Sequence, residues 1–219
     1  MTVTRRLLVA APLGAVLVGA VLLLSACDPR ETGSAAVVGG SRITESQLDG
    51  NAAAVSDLLH RTGADVPATD LLLQAQLQTL IDDKLVTEAA RREGITVTQG
   101  QVDDLIDKAG GRDQLSQQLL TQQNLWLLPQ DLDALAYSYL VQQNLGQRLA
   151  PGQSSTAQGQ AVGEYMSNLS KEVGVSVSPR YGAWDPSALR IGAAPDDLSQ
   201  PAGGSPSASP SPSASTGTG

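Results

Sequence analysis

The sequence predicts a mainly α domain closed by a small β-sheet that pairs strands from its two ends. Three observations predict it. Apolar residues recur at helical spacing through most of the chain between Leu48 and Val173. Two Thr-x-x-Gln patterns, Thr44 with Gln47 and Thr98 with Gln101, stand where helices should begin. Only near the two ends, over 36–43 and 175–178, does the pattern become β-type.

Ala36, Val37 and Val38, then Gly39-Gly40-Ser41, then Arg42 and Ile43, read as a small hairpin. Leu48, Ala52, Val55 and Leu59 place a first helix over 45–62. Thr69 or Asp70 can cap a second, of roughly 24 residues, whose Leu73, Leu77, Leu80, Ile81, Leu85 and Ala89 form one apolar face up to Gly94. A third runs through Val102, Leu105, Ile106 and Ala109 until Gly110-Gly111, and a short fourth covers 113–123 with Leu115 and Leu119 inward. Pro129 suits a first helical turn, and Leu132, Leu135, Ala136, Tyr139 and Leu140 carry a fifth helix to about Leu149. Ala161, Val162, Tyr165, Met166, Leu169 and Val173 define the last, halted by Gly174. Val175-Ser176-Val177-Ser178 then alternates, and because a lone strand leaves its backbone unsatisfied it should pair with the strand around Val37.

The ends have other logic. Arg5 and Arg6 precede an apolar stretch of about 18 residues from Leu7 to Leu24, long enough to weigh as a membrane span. Pro12, Gly14 and Gly19 weaken that helix, and Leu24-Ser25-Ala26-Cys27 follows, a secretory signal layout. The tetrapeptide resembles the bacterial lipobox, which implies cleavage between Ala26 and Cys27 and a diacylglyceryl group on Cys27. Two acyl chains anchor durably where one is marginal. Cys27 is the chain's single cysteine, so no intrachain disulfide supports the fold. The partition expected is a lipoprotein signal peptide over 1–26, a lipidated tether over 27–35, a helical domain over 36–192 and a disordered tail over 193–219. From Asp196 onward the composition collapses to Ser, Pro, Ala, Gly and Thr, with little apolar bulk to offset the entropy of ordering.

The chain has 14 Lys and Arg against 22 Asp and Glu, and removing 1–26 takes two of the bases, Arg5 and Arg6, and no acid. That acidity disfavours nucleic acid and anionic head groups as partners. The lipid is then the expected hold on the extracytoplasmic face of the cell membrane. No constellation points to catalysis or a cofactor. His60 is the sole histidine and sits at a helix end, which suits the dipole better than a zinc site. No Gly-x-Ser-x-Gly elbow or phosphate loop occurs. Asp82-Asp83 and Asp103-Asp104 are adjacent pairs that point in different directions on a helix, so both read as solvated surface. The alternating βαβ pattern of solute-binding domains is also missing, and no small-molecule substrate is expected.

The order of a Val-Val-Gly-Gly strand, a Thr-capped helix, several more helices and a Val-x-Val strand resembles the N-terminal domain of SurA-type chaperones. Pro179-Arg180-Tyr181-Gly182-Ala183-Trp184-Asp185-Pro186 is the sharpest local match, similar to actinobacterial lipoproteins of this type. The resemblance implies a cradle for unfolded exported polypeptides, an ATP-independent holdase. SurA and the related PrsA foldases often carry a parvulin prolyl isomerase domain of about 90–100 residues, whereas here only a handful of residues separate the last two helices. The rival readings are an adaptor lipoprotein bound to an envelope partner and a degenerate isomerase. Leu125, Trp126, Leu127 and Leu128 either pack into the core or line a client groove, and the aggregation hazard of exposed apolar patches favours the core. Together with Tyr181 and Trp184 they are the candidate polypeptide-binding residues. Packing is the competing role of Tyr181 and Trp184, with Arg180 stacking on or bonding to that corner.

Overall fold

The computed structural model describes residues 33–123 and 125–193. The elements are β1 (Ser34–Val38), β2 (Ser41–Thr44), α1 (Glu45–Thr62), α2 (Thr69–Glu93), α3 (Gln99–Lys108), α4 (Arg112–Gln123), α5 (Leu132–Leu149), α6 (Ser155–Val173), β3 (Val175–Val177), β4 (Ala183–Asp185) and β5 (Arg190–Gly192). The fold is mainly α, as expected, and the two ends do pair: the sheet order is β2-β1-β3, with Val37 opposite Arg42 on one side and Ser176 on the other. β1 begins at Ser34, opposite Thr44, so Ser34 and Ala35 belong to the sheet rather than to the tether. The signal segment, Ala26, Cys27 and the expected tail beyond Ala193 lie outside the described residues.

Local signals set the helix starts. At Thr98 the capping box closes fully, Gln101 N–H donating to Thr98 Oγ1 at 3.3 Å and Thr98 N–H to Gln101 Oε1 at 2.9 Å. At Thr44 one half forms, Gln47 N–H donating to Oγ1 at 3.1 Å. The expected cap of α2 is displaced. Leu72 N–H already bonds to Ala68 O, so Ala68 is the cap residue without a side-chain bond, and Thr69 and Asp70 fall inside the first turn. Asp70 still complements the helix dipole there.

α2 is the central element, about 37 Å long for its 25 residues. Its buried apolar residues, Leu72, Leu77, Ile81, Leu85, Val86, Ala89 and Ala90, cover more than the single face expected, while Leu73 and Leu80 are only partly buried. The reason is that α2 is packed from several sides, by α1, α5, α6 and the sheet. The main core joins β1, α2, α5 and α6, and smaller clusters lie between α3, α4 and α5 and between α1 and α2. The second sheet, a β4–β5 hairpin with Trp184 opposite Ile191, was not anticipated, because strands of three residues are too short for alternation to register.

Candidate polypeptide-binding surface

Gln74, Gln78 and Asp82 recur every four residues on α2 and form one polar row along it. Gln74 Nε2 donates to Tyr181 O at 3.2 Å. Gln78 Nε2 donates to Leu189 O at 3.1 Å, and its Oε1 accepts from Ile191 N–H at 2.9 Å. The row therefore holds the C-terminal segment against α2 through backbone atoms. Gly182 lets β4 and β5 close on each other within that segment: at φ 122°, a Cβ there would run into Gly192 O. The spacing Gln-x-x-x-Gln-x-x-x-Asp was a readable signal for a shared face, though not for its partner.

Asp82 ends the row, accepting from Gln78 Nε2 at 2.9 Å. Burial pushes its carboxyl up to about 6, with the charge of Asp83 adding and the Gln78 bond opposing. Asp83 is raised too, chiefly by burial and then by the charge of Asp131. The pair is thus partly buried, which corrects its reading as solvated surface. Asp103 and Asp104 are exposed as expected.

Tyr181 sits at the turn Pro179–Tyr181 and is 7 % exposed. Its hydroxyl is buried with no hydrogen-bond partner among the described residues, and burial raises its pKa. Arg180 stacks 4.8 Å from the ring centroid, as considered for it, while its ion pair goes to Glu45 Oε1 of α1 at 3.0 Å. Trp184 is half-buried against the main core and its Nε1 donates to Ser170 Oγ at 2.7 Å. Ser170, 1 % exposed, is one of the few buried polar residues.

The run from Leu125 to Leu128 faces inward. Leu127 is buried in the cluster of α3, α4 and α5, while Leu128 is buried in the cluster of α1 and α2. Leu125 and Trp126 pack against the same two clusters and are partly buried. Gln76, 3 % exposed in the middle of α2, donates to Trp126 O at 2.7 Å and ties the run down. Nothing in the helical pattern marked Gln76 out.

Tyr181 lines a cavity of about 340 Å³ together with Leu71, Leu73 and Arg180. Leu73 also lines an adjoining apolar cavity of about 260 Å³ between α1 and α2, floored by Ala52, Leu72 and Pro67. The two share Leu73, and Leu71, which lines the first, is 54 % exposed. A larger cavity, of about 600 Å³ under the β1–β2 hairpin, carries five charged side chains in its lining, three of which pair with one another. There Glu88 bonds Arg91 at 2.7 Å and Arg92 at 2.8 Å, and those bonds hold its carboxyl down to about 2. Among the described residues no group of His, Cys, Asp and Glu is arranged to hold a metal ion, and no helix is long and apolar enough to cross a membrane.

The family model of the SurA-like N-terminal domain matches residues 3–125, more than half of the chain, taking in β1 through α4. No curated protein matches the chain.

Proposed function

Because the chain belongs to the SurA-like N-terminal domain family, a chaperone-related family, we propose that it is an ATP-independent holdase for exported polypeptides. In this reading residues 1–26 are a signal peptide and Cys27 carries the lipid that tethers the domain over 36–192 to the outer face of the cell membrane. The protein is not an enzyme and takes no cofactor. A parvulin domain is not inserted between the last two helices, a point supported by the five residues, 150–154, that join α5 to α6.

The observation that carries the reading is the pair of cavities that share Leu73, one between α1 and α2 and one reaching Tyr181 beside the exposed Leu71. A client side chain the size of Leu gains about 1.5–3 kcal/mol on full burial. Ordering each client residue costs about 1–2 kcal/mol. The near balance gives shielding that releases without ATP. The test is light scattering by an aggregating unfolded client in the presence of the full chain reconstituted in lipid vesicles. Stoichiometric protein should suppress scattering, and Leu71→Asp should weaken that suppression while leaving thermal unfolding unchanged. Scattering that wild-type protein leaves unaltered removes the holdase reading.

A further inference from the structure

A second groove, of about 380 Å³, lies between α5 and α6. No charged side chain lines it, although the chain has 36 charged residues, 14 basic and 22 acidic. Its α6 wall is bare at Gly159 and Gly163, one turn apart, where an added Cβ would meet nothing within 4 Å. Glycine inside a helix is less favourable than alanine, and packing within the domain does not require it at these two positions. Gly146 of α5 is different: a Cβ there would lie 3.1 Å from Gln158 Cβ, so close packing of the two helices needs it. On the α5 wall Tyr139 is 55 % exposed. Beside it Gln142 and Gln143 are exposed, and their side-chain amides make no hydrogen bond among the described residues.

We propose that this groove binds an extended, uncharged polypeptide segment of about four residues, its main chain laid over Gly159 and Gly163 and hydrogen-bonded by the amides of Gln142 and Gln143. Each amide offers both a donor and acceptor sites, which suits the N–H and C=O groups of an extended backbone. The wall from Ser155 to Gly163 is about 12 Å long, the span of about four extended residues. A charge entering the groove would lose water without finding a partner, so charged segments are excluded. Tyr139 and Met166 supply apolar contact for the segment's side chains.

The identification of the segment as client rests on the holdase reading, whereas the binding itself is measured without a client. The probe is a dye-labelled peptide alternating Leu or Tyr with Ser, and its counterpart has Asp in place of Ser. Fluorescence anisotropy with the full chain should show binding of the first and at least tenfold weaker binding of the second. Gly159→Leu with Gly163→Leu should reduce affinity at least tenfold while the melting temperature holds or rises. Should the leucines disturb α6, Tyr139→Ser at an exposed position keeps the test readable, with at least a threefold loss expected. Unchanged binding in a folded leucine variant, or in Tyr139→Ser, overturns the proposal. So does a wild-type dimer that Gly163→Leu splits, which would give the groove to a second copy. Peptide binding without aggregation suppression keeps the groove and ends the holdase reading; suppression without peptide binding does the reverse.

Discussion

Gln78 and Asp82 meet one turn apart on α2, Gln78 Nε2 donating to Asp82 Oδ1 at 2.9 Å while the same amide group grips the backbone at Leu189 and Ile191. None of the ion pairs among the described residues includes Asp82, so its charge is partly buried without a cation. That relationship makes the seat of the C-terminal hairpin sensitive to pH.

The folded-state pKa of Asp82, about 6, lies above its ordinary 3.8. Its contribution to stability is therefore fully present below about pH 4 and is lost as pH rises through 6. Asp82→Asn keeps an acceptor for Gln78 and removes the charge. The variant should be more stable than wild type at pH 8, by up to about 3 kcal/mol, and should show no such gain at pH 4. Denaturant unfolding across that range checks it, and parallel pH profiles for the two proteins would contradict it.

Gln76 ties the middle of α2 to the run between α4 and α5 by its hydrogen bond to Trp126 O. Gln76→Ala leaves that carbonyl without its partner and opens space in the core. A loss of about 2 kcal/mol is expected. Hydrogen exchange should show 125–128 losing protection along with the global loss, and unaltered stability would mean that water replaces the amide.

Trp184 and Ser170 form a partly buried pair, the indole N–H donating to the hydroxyl at 2.7 Å. Trp184→Phe should cost about 1–2 kcal/mol. A double-mutant cycle with Ser170→Ala should return a coupling of at least about 0.5 kcal/mol. Strict additivity would assign the whole cost of Trp184→Phe to lost packing.

Replacing Cys27 with Ser tests the proposed lipid tether without touching the described domain. Circular dichroism should be unchanged, while the processed, membrane-bound form disappears. Membrane association that survives in Cys27→Ser would rule out the lipid as the anchor.

What the sequence by itself determined here is local. Thr44 and Thr98 cap helices through bonds three residues away, and glycines such as Gly63 and Gly94 end them in the left-handed region, so the starts and stops could be read from a few neighbouring residues. Helical periodicity placed the six α-helices of the described residues, and the need of a lone strand for a partner joined β3 to β1. Tertiary structure decided the rest, because the deciding contacts are far apart in the chain. Gln76 meets Trp126 across 50 residues and Gln78 meets Ile191 across 113. No local pattern could say that Leu127 and Leu128 would part into different clusters, or that Asp82 would be partly buried. Nor could it say that two helical glycines would be left bare beside Tyr139, since only the packing of α5 on α6 reveals which glycines that packing needs.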